Sequence, residues 1–226
     1  MHLPERWRGR LGTGGLLLAL GLIALPGWAG LVDFSANLIH FVEKKWGAEA
    51  TPRMQVWQRL VRDSKAATAK GRADTVSLKN VNGFFNQVTY VNDIKHWGVE
   101  DYWATPIEML ASFGGDCEDY SVGKYLSLKE SGIPIEKLRI TYVRALKLGE
   151  SHMVLAYYAT PDAEPLILDN LMNDIRPASE RPDLEPVYSF NDDDLWTATG
   201  PGKKGGASNV RLWRDLLDKL AKEQKL

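Results

Sequence analysis

Gly114-Gly115-Asp116-Cys117-Glu118-Asp119-Tyr120 contains the only cysteine of this 226-residue chain. The paired glycines interrupt the helix predicted before them, and Asp116 is a favourable N-cap for a new helix, so Cys117 is predicted in its first turn. Unpaired backbone N–H groups and the positive end of the helix dipole stabilise a thiolate at that position. With no second sulfhydryl in the chain, Cys117 cannot form an internal disulfide. The stretch therefore predicts a nucleophilic thiol at a helix start.

A histidine and an aspartate that suit this thiol follow in separate β-like runs. His152 opens the run over residues 152–160, and Asp169 ends the run over residues 166–169. The imidazole of His152 can take the thiol proton, while Asp169 can accept the other imidazole N–H and fix the tautomer. A histidine before a β-run is more often structural. The order of Cys at a helix start, His on one strand and Asp on the next nevertheless indicates a catalytic set.

Three carboxylates flank the thiol, on Asp116, Glu118 and Asp119. Nearby negative charge raises the pKa of a thiol, so a cation must offset these carboxylates if Cys117 is to ionise. Hard oxygen ligands in an exported protein favour Ca²⁺ over softer metals. The three residues are therefore candidate Ca²⁺ ligands. The open alternative is that they are ordinary acidic residues of a first helical turn, where they favour the helix dipole.

Helical patterns fill the first half of the chain. The predicted helices are one closed by Gly47, one opened by Thr51-Pro52 as N-cap and first-turn proline, an irregular stretch over residues 74–88, a short helix from Pro106 to about Phe113 with a capping box, and the helix that begins at Cys117. Gly123 inside that last helix predicts close packing against a neighbouring element, since glycine there costs about 1 kcal/mol relative to alanine.

Strand patterns follow the helices. Residues 138–147 and 152–160 predict a hairpin, residues 166–169 a third strand, and residues 176–206 a long surface excursion rich in Pro, Asp and Gly. A final amphipathic helix is predicted over residues 209–223, with Val210, Trp213, Leu216, Leu217 and Leu220 inward. Helices first and antiparallel strands after them indicate an α+β fold.

The first 29 residues are typical of a secretory signal peptide. Three arginines precede an apolar run over residues 11–25, which is short for the ~20 residues that span a bilayer, and small residues then offer a cleavage site near Ala29. An uncleaved membrane anchor is the alternative. Cleavage would leave residues 30–226 as one domain. Losing three arginines and one glutamate would leave 25 basic and 28 acidic residues, a net charge of −3, which gives no reason to propose nucleic acid as a partner.

Four motifs in order resemble the bacterial transglutaminase-like cysteine proteinases. They are the stretches 102–106 (YWATP), 114–120 (GGDCEDY), 151–155 (SHMVL) and 168–170 (LDN). The resemblance implies a papain/transglutaminase-like fold, with the nucleophile at the N-terminus of a helix packed on an antiparallel sheet. Carried over by position, Cys117 is the nucleophile, His152 the general base and Asp169 the residue that orients the base.

The same resemblance implies a cofactor, a substrate and a regulator. Asp116, Glu118 and Asp119 match positions implicated in binding calcium, which the family needs for activity. The implied substrate is a large cell-surface adhesin, cut near its N-terminus in the periplasm so that the biofilm disperses. The implied inhibitor is an inner-membrane receptor for cyclic di-GMP. For the acyl intermediate, the Cys117 N–H is the predicted oxyanion donor, with a second from Trp103 or Tyr102.

Two other classes of function stay open at this point. The same thioester could pass to an amine, which would make the protein a transglutaminase, or serve in a peptidoglycan amidase or peptidase. A binding module that kept the fold without catalysis is the third hypothesis, and the intact Cys, His and Asp argue against it.

Overall fold

Helices precede the sheet in the computed structural model of this chain, which describes residues 30–197 and 210–226. The predicted signal peptide, residues 1–29, lies outside the described residues. The α-helices of the described part are α1 Ala36–Trp46, α2 Ala50–Ala69, α3 Asp74–Phe85, α4 Asp93–His96, α5 Pro106–Ser112, α6 Cys117–Glu130 and α7 Arg211–Glu223. None of these described helices has the length and apolar character that crossing a membrane would require.

Two short strands and one larger sheet accompany the helices. Strands β1 Thr89–Tyr90 and β2 Gly114–Gly115 pair in parallel. The six strands of the sheet are β3 Leu138–Ala145, β4 Glu150–Tyr157, β5 Leu166–Leu168, β6 Arg176–Pro177, β7 Leu184–Phe190 and β8 Leu195–Thr197. They lie in the order β6-β5-β4-β3-β7-β8, and every neighbouring pair is antiparallel. The predicted α+β fold is confirmed.

Helix α6 lies at the centre of the core. It packs against α2 and α3 on one side and against β3 and β4 on the other. The Trp57 indole N–H of α2 donates to the Ser127 hydroxyl of α6 at 2.8 Å inside this core. A separate apolar cluster lies on the other face of the sheet, because successive strand side chains alternate between faces. This outer-face cluster consists of Val143, Val154, Ala156 and Ile167.

The ends of the helices and strands confirm several local predictions. Helix α5 begins with the predicted capping box, in which Thr105 and Glu108 each accept a main-chain N–H of the other at 3.1 Å. Helix α6 begins at Cys117 with Asp116 as its N-cap. The predicted hairpin is β3–β4, whose register runs from Leu138 opposite Tyr157 to Ala145 opposite Glu150.

The predicted start of α2 at Thr51-Pro52 is wrong. The helix begins at Ala50, and its N-cap is Glu49, which makes no side-chain cap. The Thr51 hydroxyl instead donates to the Glu43 carboxylate of α1 at 2.9 Å. A hydrogen bond to the preceding helix thus replaces the local cap that the sequence indicated.

The predicted surface excursion over residues 176–206 is also wrong where the structure describes it. Strand β7 pairs with β3 inside the sheet, and its last residue, Phe190, is fully buried. Pro186 concealed this strand from the sequence pattern, because proline is rare within sheets. The register shifts beside Pro186, where Val143 pairs with it directly after Tyr142 pairs with Tyr188, so an irregularity accommodates the proline.

The final helix departs from its prediction at one inward position. Trp213, Leu216 and Leu220 of α7 are buried as expected, whereas Leu217 is 38% exposed. Asn209, the predicted first residue, lies outside the described residues.

Two helical glycines should respond oppositely to substitution by alanine. A Cβ at Gly123 would lie 2.4 Å from the Phe85 ring, whereas a Cβ at Gly83 of α3 would meet nothing within 4 Å. We expect Gly123→Ala to destabilise the fold by about 1–3 kcal/mol through overpacking. Gly83→Ala, the control, should stabilise it by about 0.5–1 kcal/mol. Urea unfolding of both variants measures this, and a neutral Gly123→Ala would contradict the close contact.

Candidate functional site

The thiol of Cys117 lies at the start of α6, as predicted. Asp116 and Asp119 form a capping box, in which the Asp116 N–H donates to Asp119 Oδ2 at 3.3 Å. Cys117 is the first helical residue, and only 8% of it is exposed. The helix start is therefore fixed by carboxylates that lie within two residues of the sulfur.

The glycines before Cys117 are required by close contacts. A Cβ at Gly114 would lie 2.6 Å from the His96 ring, and a Cβ at Gly115 would lie 2.7 Å from Asp119 Oδ2. The Val91 N–H donates to the Gly115 carbonyl at 2.9 Å, which extends the pairing of β1 with β2. His96, for which the sequence indicated no role, thus packs beneath the turn that leads to the thiol.

His152 and Asp169 meet as predicted. His152 Nε2 donates to Asp169 Oδ1 at 2.8 Å, and both side chains are buried. This contact leaves Nδ1 of the imidazole for the thiol. The N–H of Met153, the residue after His152, lies against the Cys117 sulfur and favours its ionised form. The structure thus places the end of β4 that carries His152 beside Cys117.

Asp169 is held by more donors than the sequence predicted. The Leu171 N–H donates to its Oδ1 at 3.0 Å, and Nη2 of the buried Arg181 donates to its Oδ2 at 2.7 Å. Burial alone would raise the pKa of Asp169, but the hydrogen bonds and charges of its neighbours, His152 first, outweigh burial and hold the pKa at about 2. The carboxylate therefore stays ionised, as an orienting group for an imidazolium must.

Arg181 and Asn86 were missed by sequence reasoning. Arg181 lies in the segment read as surface, and it also donates to Asp183 at 2.9 Å. Asn86, at the end of α3, donates through Nδ2 to the main-chain carbonyl of Asp169 at 2.8 Å. Each contact joins Asp169 to a residue outside its own predicted strand. No local sequence pattern therefore indicated either contact.

The surroundings of Cys117 disfavour its thiolate in this structure. Burial and the negative charge of Glu118 both raise the pKa of the thiol well above its ordinary value. The thiol donates to Glu118 Oε2 at 2.8 Å. The concern that the sequence raised about acidic neighbours is therefore justified by the geometry.

Three aspartates form an acidic cluster next to the thiol. One carboxylate oxygen each from Asp93, Asp116 and Asp119 lie within 4.8 Å of one another. The structure thus brings together two of the three predicted metal ligands, Asp116 and Asp119. It adds Asp93, which belongs to none of the motifs found in the sequence. The third, Glu118, directs Oε2 to the Cys117 sulfur and also bonds to Asp116.

Main-chain N–H groups hold the cluster from one side. The Tyr102 N–H donates to Asp93 Oδ2 and the Ala104 N–H to Asp119 Oδ1, both at 2.6 Å. Among the described residues, the buried Oδ1 atoms of Asp93 and Asp116 have no hydrogen-bond partner. Buried acceptors without partners are rare in native proteins.

Burial and neighbouring negative charge disfavour the ionised forms of the cluster. Burial, together with the charges of neighbouring carboxylates such as Glu118, raises the pKa of Asp93 to about 6 and that of Asp116 to about 10. Burial likewise raises the pKa of Asp119 well above its usual range. A hard divalent cation on these oxygens would give the unpartnered oxygens a ligand and stabilise the ionised carboxylates. The donor set therefore fits Ca²⁺.

The predicted oxyanion residues lie in the segment that contacts the cluster. Trp103 is 5% exposed and stacks on Phe190 of β7, with ring centroids 6.1 Å apart. The Tyr102 hydroxyl donates to Glu108 Oε1 at 2.7 Å, and its N–H is taken by Asp93. The oxyanion role of Trp103 stays a prediction, while the N–H of Tyr102 is already engaged.

Lys124 is a buried cation that the sequence did not single out. It follows Cys117 by two turns of α6 and is 0% exposed. Its Nζ has no hydrogen-bond partner within residues 30–197 and 210–226. Burial lowers the pKa of Lys124 to about 7, although the charge of Asp169 opposes this shift.

Lys124→Met should remove a pH dependence of stability. Between the lowered pKa of about 7 and the ordinary value of 10.5, the unfolded chain binds more protons than the folded one, so the free energy of unfolding rises with pH. The methionine variant lacks that rise, and below pH 7 it should exceed the wild type by on the order of 1–3 kcal/mol. Urea unfolding of both proteins at several pH values tests this. Equal pH slopes would contradict it.

These groups can together perform acyl transfer. The site has a thiol at a helix N-terminus, an imidazole on the strand that contacts the thiol, and a carboxylate that fixes the imidazole. They can serve as a nucleophile, a proton carrier and an orienting group. The helix N-terminus adds main-chain N–H groups for a developing oxyanion.

This chain is similar in sequence and fold to known proteins. A family model described as bacterial transglutaminase-like cysteine proteinase, BTLCP, matches residues 57–196. Legionella pneumophila LapG is 38% identical, with a TM-score of 0.69 over 81% of this chain and 96% of that chain. Its calcium-bound form is 37% identical, with a TM-score of 0.69 over 83% and 99% of the two chains. Its EGTA-treated form gives a TM-score of 0.71 at 38% identity over 81% and 96%. No curated protein matches the chain.

Proposed function

Because this chain belongs to the bacterial transglutaminase-like cysteine proteinases and is a cysteine peptidase, we propose that Cys117, His152 and Asp169 are its catalytic triad. The observation that carries the proposal is the 2.8 Å hydrogen bond from His152 Nε2 to Asp169 Oδ1. His152 precedes Met153, whose N–H lies against the Cys117 sulfur.

Each triad residue has one chemical task. His152 takes the thiol proton of Cys117 through Nδ1, and the sulfur attacks the scissile carbonyl. His152 then gives that proton to the leaving amine, and water hydrolyses the thioester to release the second product and regenerate the thiol. Asp169 holds the imidazole in the tautomer that leaves Nδ1 free. Main-chain N–H groups at the start of α6, that of Cys117 first, would stabilise the oxyanion.

Calcium is proposed as the cofactor of the acidic cluster. Asp93, Asp116 and Asp119 would hold it, and its positive charge would offset the carboxylates that raise the pKa of Cys117. Support comes from the carboxylate oxygens without partners and from the raised pKa values of the cluster. Similar LapG from Legionella pneumophila has a calcium-bound form.

The proposed substrate is the N-terminal region of a large cell-surface adhesin. Its cleavage in the periplasm would release the adhesin and promote biofilm dispersal, under inhibition by an inner-membrane receptor for cyclic di-GMP. The support is the membership of the family and the similarity to LapG. The arginines and the apolar run before residue 30 support export to the periplasm.

Asp93→Asn should weaken calcium binding by at least about tenfold, because it removes one charge from the proposed ligand set. Asp63→Asn is the matched control, since Asp63 is exposed on α2. The melting temperature, followed during titration with CaCl₂ and after EGTA, gives the affinity of each protein. We expect calcium to raise it in the wild type and in the control. An unchanged titration of Asp93→Asn would contradict the assignment of this residue.

Cys117→Ala should reduce peptide cleavage by roughly 10³-fold or more, because the nucleophile is lost. The test incubates residues 30–226 with the N-terminal fragment of a candidate adhesin and identifies products by mass spectrometry. A labelled amine with a glutamine peptide is included in parallel. Cleavage that survives in Cys117→Ala would refute the triad, and amine incorporation without cleavage would indicate a transglutaminase instead. EGTA should abolish cleavage by the wild type.

A further inference from the structure

A cavity lies on the face of the sheet that α6 does not cover. It has a volume of about 100 Å³ and lies between the outer-face cluster and the segment before β7. Its floor is apolar, because it is formed by the side chains of Val143, Val154 and Ala156. Each of these residues is no more than 2% exposed. A water molecule needs about 10–15 Å³, so the cavity has room for a small organic molecule.

One buried donor without a partner belongs to this cavity. Arg181 lines it, and only 2% of the Arg181 side chain is exposed. Nε and Nη2 of the guanidinium donate to Asp183 and Asp169. Nη1 is buried and has no acceptor within the described residues. Since native proteins rarely leave a buried donor without a partner, this nitrogen points to an acceptor supplied by a ligand.

The charges around Arg181 decide which acceptor fits. Two carboxylates, those of Asp169 and Asp183, already contact its single positive charge. A further anion would therefore meet net negative charge on a poorly solvated wall. An uncharged oxygen would receive the N–H without that repulsion. Of the other side chains that line the cavity, only Thr141 and Tyr158 carry a polar atom, and the Thr141 hydroxyl already donates to the Arg139 carbonyl at 3.3 Å. An ordered water, which needs two to four polar partners, therefore has few beside Nη1.

We propose that this cavity is a binding site for a small uncharged molecule with a branched aliphatic body and one carbonyl oxygen, which accepts from Arg181 Nη1. The aliphatic part lies on Val143, Val154 and Ala156. Neither the residues of the acidic cluster nor Cys117 line the site, and Arg181 joins it to Asp169. This inference does not depend on the proposed peptidase function.

A pair of probes of the same shape tests the proposal. Methyl isopropyl ketone and isobutyrate have equal numbers of heavy atoms, and only the second is an anion. The full chain, labelled at Val, Ile and Ala methyl groups, is titrated with each probe and followed by NMR. The ketone is expected to shift the methyl signals of Val143, Val154 and Ala156 to saturation. Isobutyrate is expected to bind at least about tenfold more weakly.

Two variants fill the cavity from different sides. Ala156→Leu enlarges a residue of the floor, and Ala178→Leu enlarges a half-buried residue that lines the cavity and lies outside the strands. Each variant that retains a cooperative thermal transition should bind the ketone at least about tenfold more weakly than the wild type. The second variant keeps the test decisive if the first does not fold.

Saturable, ketone-selective shifts that the filled variants weaken would support the site. The proposal is overturned by any of three results: no saturable shift of these methyl groups, equal affinity for isobutyrate, or unchanged affinity in a folded filled variant. Peptide cleavage plays no part in these measurements, so failure here leaves the proposed peptidase function untouched.

Discussion

Three aspartates in one poorly solvated corner impose the constraint on which the rest of the site depends. Asp93, Asp116 and Asp119 lie too close together for all to be ionised without a compensating cation. Asp116 and Asp119 also form the capping box of α6, so the same carboxylates determine where the helix of Cys117 begins. The nucleophile and the acidic cluster are therefore parts of one local structure. A cation that binds there would order the helix start and ease ionisation of the thiol together.

Asp169 couples the other half of the site to the whole fold. It accepts hydrogen bonds from β4 through His152 and from the segment before β7 through Arg181, and α3 holds its carbonyl through Asn86. These donors come from parts of the chain that are far apart in sequence. The orientation of the imidazole is thus a product of the assembled sheet and helices. A defect in any of them would be felt at the proposed active site without touching a triad residue.

Sequence reasoning succeeded where the determining contacts are local. The N-cap of α6 at Asp116, the capping box of α5 and the β3–β4 hairpin are each fixed by residues a few positions apart. It failed where a partner comes from a distant element. Asp93 joins the acidic cluster from α4, and Arg181 reaches Asp169 across a segment whose prolines resemble a loop. The spacing of residues along the chain does not predict such contacts, because they form only in the tertiary fold.

The solitary sulfur of Cys117 has a consequence for observing this protein. With one thiol in 226 residues, a thiol-selective alkylating reagent reports on a single atom. Alkylation proceeds through the thiolate, whose population depends on the charge of the neighbouring carboxylates. The rate of labelling therefore depends on the electrostatic potential at the start of α6, as well as on access to the buried sulfur. The native thiol of the unmodified chain therefore serves as the probe, and no engineered label has to be added.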